Sequence, residues 1–338
     1  MKRRNWISAS LGVAGLAGLG GMGWLARSTD VAAAAALPGH ERGAQAFGTR
    51  VTLKVLHADA DTAALAMDEA LAEIAAVDAL MSLHRADSQL ATLNRQGVLH
   101  QPDPRVLQVL AQAQALSAQT DGAFDVTVQP LWLAFSQAQA RGELPSAAEL
   151  AAARARVGWR GLKLQPQRVE LARSGMAVTL NGLAQGYAAD LALQALRARG
   201  VEHALLDSGE YTAIGGKGQG RPWVLGIKHP RQPDQLAARL PLDGRALATS
   251  GDYETTFSAD FVHHHIFDPA SGDSPTALAS ATVLAPSGAQ ADGLSTAFMV
   301  MGAQRSLDLA AQLPGVDTLL IGKDGRRWHS AGWLELPA

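Results

Sequence analysis

Asp292 and Thr296 stand four residues apart in the run Ala291-Asp292-Gly293-Leu294-Ser295-Thr296. On a helix that spacing puts a carboxylate and a hydroxyl side by side on one face. Two oxygen donors there suit a hard cation such as Mg²⁺, which also keeps waters or phosphate oxygens. The same pair equally suits a first-turn cap and a packed hydroxyl. A second segment, Thr179-Leu180-Asn181-Gly182-Leu183-Ala184-Gln185-Gly186-Tyr187, reads as a strand, a turn and a helix start. Gly182 and Gly186 would let backbone approach a ligand, and the helix N-terminus would favour an anion. A plain strand–turn–helix fits as well. In His263-His264-His265-Ile266-Phe267-Asp268-Pro269, three consecutive histidines invite zinc. Neighbours on a strand point to opposite faces, so the three cannot easily converge on one ion. One histidine as general base fits better, because imidazole titrates near neutrality. Ala246-Leu247-Ala248-Thr249-Ser250-Gly251-Asp252-Tyr253 reads as a polar turn, and Phe47-Gly48-Thr49 opens a strand.

The elements that must position these residues follow from periodicity. Alternation with β-branched residues predicts strands over Thr49–His57, Ala204–Asp207, Trp223–Lys228, Ala281–Ala285 and Asp317–Ile321. Strands are also expected over Leu162–Leu171 and Ala177–Leu180, around a turn at Ser174-Gly175, with Arg326–Trp333 ending the sheet. Apolar spacing of three and four predicts helices over Asp61–Leu83, Arg105–Thr120, Ser146–Arg156, Gly186–Arg199, Ala289–Met301 and Arg305–Gln312. Ser146 and Glu149 are placed for a capping box. Asp121 to Val128 reads as a turn entering a short extended run. The elements show no regular βαβ beat, so the fold class is α+β with a mixed sheet.

Composition narrows the chemistry. The 338 residues carry 29 Lys+Arg against 31 Asp+Glu, a net charge of -2, which lacks the basic excess of a nucleic-acid protein. With no cysteine, disulfides, thiolate zinc sites, Cys nucleophiles and a lipidated N-terminal Cys are excluded. The opening Met1-Lys2-Arg3-Arg4-Asn5-Trp6-Ile7, an apolar run to Leu25 and the alanines Ala32 to Ala36 have the layout of an export signal. Paired Arg3 and Arg4 point to the twin-arginine route, with a permanent N-terminal anchor as the other reading. Residues 1–36 are therefore read as the signal and 37–338 as one folded unit, placed in the periplasm or on the outer face of the inner membrane. Two glycine-rich runs are decoys: Gly18 to Gly23 lies in the signal, and Gly215 to Gly220 is followed by Arg221-Pro222-Trp223, not by a helix.

Taken together and in order, these segments resemble the FAD:protein FMN transferase (ApbE) family over roughly Ala46 to Gly302. The resemblance rests on Phe47-Gly48-Thr49, where the family usually has Met-Gly-Thr, and on Met81 to Ser88 with Leu93-Asn94 after it. It continues through Gly122-Ala123-Phe124-Asp125-Val126-Thr127 and Ala248-Thr249-Ser250-Gly251, then His265-Ile266-Phe267-Asp268-Pro269 and the Asp292–Thr296 run. It implies a two-lobed fold around a flavin and metal cleft. It also implies transfer of FMN from FAD to a threonine hydroxyl of an acceptor flavoprotein, with release of AMP. Asp292, Thr296 and the Gly182 carbonyl would hold Mg²⁺, or Mn²⁺. Flavin and adenine contacts would fall on Phe47, His84, Ala123, Phe124, Asp125, Thr179, Gln185 and Ile266, and His265 would be the catalytic base. Membrane contact is expected only through the signal or a membrane-bound acceptor. Departures from the family pattern are Thr179 for a usual Asp, Gln185 for a usual Lys and His84 for a common Tyr. FAD hydrolysis to FMN and AMP, or a non-catalytic flavin-binding maturation factor, are the alternatives.

Overall fold

The computed structural model describes residues 36–337. The signal, apart from its last residue, lies outside the described residues. The chain opens with the hairpin β1 (Gly39–Ala46) and β2 (Thr49–Leu56), followed by α1 (Ala60–Met81), α2 (Gln89–Gln96), β3 (Val98–His100) and α3 (Pro104–Gln119). Then come α4 (Gln129–Ala140), α5 (Ala147–Arg154), β4 (Leu162–Gln165), β5 (Arg168–Leu171) and α6 (Ala184–Ala198). Next are β6 (His203–Asp207), β7 (Tyr211–Ile214), β8 (Val224–His229), β9 (Gln232–Pro241) and β10 (Ala246–Gly251). The chain closes with β11 (Leu278–Ala285), α7 (Gly288–Met301), α8 (Ala303–Ala310), β12 (Asp317–Gly322) and β13 (Arg327–His329).

Eight strands form one sheet in the order β1-β2-β6-β7-β10-β11-β12-β13. Every described pairing in it is antiparallel, so the α+β class stands while the expected mixed sheet is antiparallel throughout. α1, α6 and α7 pack with one face of this sheet in the main apolar cluster, where Ile74, Leu196, Phe298 and Val283 are buried. The hairpin β8–β9 covers the other face through Trp223, Leu225 and Leu240. A third cluster under α4 and α5 is built on Phe135, with Phe257 and Phe267 rings against it.

Two helices matter most for the site. α7 starts on Ser287, whose hydroxyl accepts from the Gln290 N–H at 3.2 Å, and the Asp190 carboxylate on α6 takes the Gly288 and Ala289 N–H groups. α6 and α7 then cross at two glycines. A Cβ on Gly186 would lie 2.1 Å from the Gly288 carbonyl oxygen, so only glycine permits this approach. The first helix, α1, buries Ala63, Ala66, Met67, Ala70, Ile74 and Val77 on one stripe and is capped by Asp59. The Ser146–Glu149 capping box forms as its spacing predicts.

Four sequence expectations are corrected. The strand over Leu162–Leu171 is a hairpin, β4 and β5, that turns at Pro166-Gln167. Ala177–Leu180 is not a strand: the Asn94 side chain clamps Val178 through both its N–H and C=O (2.7 and 2.8 Å), and the Thr179 N–H goes to the Val126 carbonyl. The extended run before Val128 is a 3₁₀ turn, Val126–Val128, bent by the Asp125 side chain accepting from the Thr127 N–H. The polar turn at Ala246 is instead strand β10, paired to β11 through Gly251. The histidine run lies in a loop that holds a single bridge, Thr256 with His264.

Candidate active site

The site is built where α7 meets the turn before α6. Asp292 and Thr296 share one face of α7, as four-residue spacing requires. A Cβ on Gly182 would sit 2.8 Å from the Thr296 hydroxyl and 3.6 Å from the Phe124 ring. Glycine at 182 therefore leaves open a cradle that any other side chain would fill. Ser250 on β10 reaches the same point, with its hydroxyl 3.2 Å from Thr296 Oγ1 and 2.8 Å from Ser295 Oγ.

Asp292 is only 4% exposed, and the one hydrogen bond its carboxylate accepts comes from the Gly186 N–H at 3.2 Å. Burial pushes its carboxyl up to about 7, with Asp190 adding repulsion and the Gly186 N–H opposing both. A buried carboxylate with one donor is poorly compensated, and a cation would supply what is missing. The donors present are oxygens: the Asp292 carboxylate, the Thr296 hydroxyl and the nearby Gly182 carbonyl. They fit a hard cation. Among the described residues no three His, Cys, Asp or Glu side chains gather to hold a metal, so a cation here would depend on carbonyl, hydroxyl and water oxygens.

Other expected contacts divide into those beside this centre and those set elsewhere. Gln185 donates from Nε2 to the Ser208 carbonyl at 2.8 Å, which binds the start of α6 to the turn between β6 and β7. Thr179 Oγ1 accepts from the Asn181 N–H, so the residue in the place of the usual Asp braces the turn before Gly182. Phe124 is buried beside Gly182, and Ala123, which precedes it, is buried too. Asp125 is occupied structurally. Its Oδ1 accepts from the Thr127 N–H and hydroxyl, and its Oδ2 from the Trp159 N–H at 2.8 Å. Phe47 turns the β1–β2 hairpin with φ 51°, held by its N–H on Asp78 Oδ1. His84 is exposed on the loop after α1. The expectation that α6 offers its first N–H groups to an anion is narrowed, because Ala184's goes to the Leu180 carbonyl and Gly186's to Asp292.

The three histidines go three ways. His263 Nδ1 meets Asp273 Oδ1 at 2.8 Å. His264 is fully buried; its Nε2–H donates to the Pro275 carbonyl and burial lowers its affinity for a proton. His265 is held at the Thr255 carbonyl by both its N–H and its Nδ1. The three imidazoles bond three different partners, and the run lies in a loop, not on the strand the sequence argument assumed. Ile266, next to it, is buried.

One residue escaped sequence reasoning altogether. Glu210, in the β6–β7 turn, has a buried Oε2 that no donor reaches, and burial together with the charge of Asp292 raises its carboxyl well above the usual range. A single carboxylate in a Ser-Gly-Glu turn carries no spacing signal that would mark it.

Comparison with known proteins shows the family. The sequence model of the ApbE family matches residues 47–320. The chain is 31% identical over 291 residues to the FAD:protein FMN transferase of Treponema pallidum, covering 80% of each. It is 32% identical over 278 residues to that of Vibrio cholerae, covering 78% of this chain and 82% of the relative. The crystal structure of the ApbE protein from Thermotoga maritima superposes with a TM-score of 0.78 at 29% identity, over 87% of this chain and 97% of that one. The chain belongs to the ApbE family and is an enzyme of it.

Proposed function

We propose that this chain transfers FMN from FAD to a threonine hydroxyl of an acceptor protein and releases AMP, with a divalent cation at the Asp292–Thr296 face. The observation that carries the reading is that face itself: a buried, under-compensated carboxylate and a hydroxyl lie against a glycine whose missing Cβ leaves the space open. Relatives named FAD:protein FMN transferase over most of their length support the same reaction. When bound, Mg²⁺ or Mn²⁺ would neutralise charge on the pyrophosphate oxygens and favour in-line displacement.

The chain's own residues supply the rest. Asp292, Thr296 and the Gly182 carbonyl would hold the cation. Phe124, Ala123, Gln185 and Thr179 line the approach to it and would position FAD, with Phe47, His84, Asp125 and Ile266 as the outer contacts. His265 takes the proton from the acceptor threonine as its oxygen bonds to the FMN phosphorus. The bond between the two phosphates breaks, and AMP leaves with the electron pair. The Arg3-Arg4 leader supports export by the twin-arginine route, so the acceptor would be a periplasmic or membrane-bound redox protein.

The test combines the chain, FAD, Mg²⁺ and a threonine-bearing acceptor domain, reading AMP and the acceptor's intact mass together. AMP with an FMN-sized mass gain is the expected result. AMP with free FMN and no gain would replace transfer by hydrolysis. Neither product, with FAD still bound, would leave a flavin-binding factor. His265→Ala should slow transfer by about a hundredfold or more if it is the base.

A further inference from the structure

The cation site described above has one carboxylate, yet the structure places a second beside it. Glu210 sits in the turn after β6, and that turn is tied to the start of α6 by Gln185 Nε2 on the Ser208 carbonyl. A Cβ on Gly209 would lie 3.1 Å from the same Nε2, so the turn is pressed onto Gln185. The turn leads into β7, whose Tyr211 pairs with Leu247 on β10, two residues before Thr249. The next residue on that strand, Ser250, touches Thr296 and Ser295 on α7. Glu210 is thus braced by two elements that also border the cation face.

Its chemistry is unfinished. Oε2 is buried and accepts no hydrogen bond. A buried carboxylate oxygen without a donor costs on the order of 1–3 kcal/mol or more, and such atoms persist where something else completes them. The charges of Asp292, Asp207 and Glu254 all repel it and make the deficit worse. Two mutually repelling carboxylates, one buried with a single donor and one with a buried oxygen that has none, are a poor arrangement for a cation-free protein and a good one for a doubly charged ion.

We propose that Glu210 is a second carboxylate of the cation site, sharing the charge of the bound ion with Asp292. This rests on the reading of the Asp292–Thr296 face as that site. No third acidic or imidazole side chain joins them among the described residues, so the ion would keep waters, and Glu210 would serve as a direct ligand or through one of those waters.

The test titrates Mn²⁺ into the full chain without FAD and follows free Mn²⁺ by electron paramagnetic resonance. Glu210→Gln keeps the size of the side chain and one oxygen and removes the charge. It should weaken Mn²⁺ binding by about tenfold or more, while Asp292→Asn should abolish it. Without metal, the Glu210→Gln protein should melt no lower than the unmodified chain, and its Mn²⁺-induced rise in Tm should shrink. Mn²⁺ binding within about twofold of the unmodified chain would overturn the assignment and leave the site standing. No binding by the unmodified chain would overturn the site and the assignment together. Should Glu210→Gln not accumulate as folded protein, Glu210→Ala is read by the same criteria.

Discussion

Asp125 and Asp292 are both carboxylates buried to within a few percent, and burial raises the proton affinity of each. They differ in what compensates them. Asp125 accepts three hydrogen bonds, from the Thr127 N–H, the Thr127 hydroxyl and the Trp159 N–H, which spends it on bending the chain between α3 and α4. Asp292 accepts one, from Gly186, and faces two further acidic groups, Asp190 and Glu210. Burial alone therefore does not mark a functional carboxylate. The marker is a buried charge whose partners have been left out of the protein.

The sharpest way to break that comparison is to remove each charge in turn. Asp292→Asn should lower kcat/KM by at least about a thousandfold, since the loss of a metal's charge stabilisation is worth several kcal/mol. It should cost little or no stability without metal, because it relieves a repelled charge. A melting temperature that falls by many degrees in the cation-free variant would show that Asp292 serves the fold as Asp125 does. Asp125→Ala should behave in the opposite sense. It strands three buried donors, and should destabilise the chain by about 2–4 kcal/mol. Denaturant midpoints of the two variants, measured side by side without metal, decide the matter.

A pH series sharpens the same contrast. The folded, cation-free chain keeps a proton on Asp292 up to about 7, whereas its ordinary value is 3.8. Between those values the folded state binds the proton that the unfolded state has released. Stability without metal must then fall as pH rises through this window and level off above it. Asp125 and Asp190 shift in the same direction and add to the slope. A cation binds the ionised form, so the rise in Tm on adding Mg²⁺ should be small near pH 5 and larger near pH 8. An Mg²⁺ increment that is the same at both ends would detach the cation from Asp292, and Asp292→Asn should erase it.

How far the sequence carried can be judged from these same residues. The pair Asp292 and Thr296 was legible, because helical spacing alone places both on one face. The major helices were legible too, since apolar stripes of three and four survive any tertiary context. β10 was not. Its Thr249 and Ser250 look like turn residues until Thr282, Ser295 and Thr296 arrive from β11 and α7 to bond their hydroxyls. The helix α4 was passed over because Pro130 sits in its first turn, where it is tolerated. Ala177–Leu180 reads as a strand, yet its hydrogen bonds go to the Asn94 side chain and to Val126, not to a neighbouring strand. Glu210 was invisible for a related reason: its meaning lies in which charges surround it, and those come from three separate segments.

The smallest expected effect tests whether the two regions communicate. Thr179 belongs to the Asp125 side, since its N–H bonds to Val126 in the turn that Asp125 bends. Gln185 belongs to the Asp292 side, since it precedes the Gly186 N–H that Asp292 accepts. The resemblance to the family implies Asp and Lys at these places, so this chain carries one charge fewer in each region than that pattern would. Thr179→Asp can keep the Asn181 N–H as a partner, and Gln185→Lys can keep the Ser208 carbonyl, so both variants should fold. Alone, Thr179→Asp should weaken FAD binding by about threefold through repulsion of the pyrophosphate, and Gln185→Lys should tighten it by a similar factor. If the two charges pair, the double variant should bind FAD more tightly than the sum predicts, by a coupling of about 0.5–1.5 kcal/mol. Equilibrium FAD affinities of the four proteins close that cycle. Additive effects would mean that the cation centre and the Asp125 turn contact FAD independently.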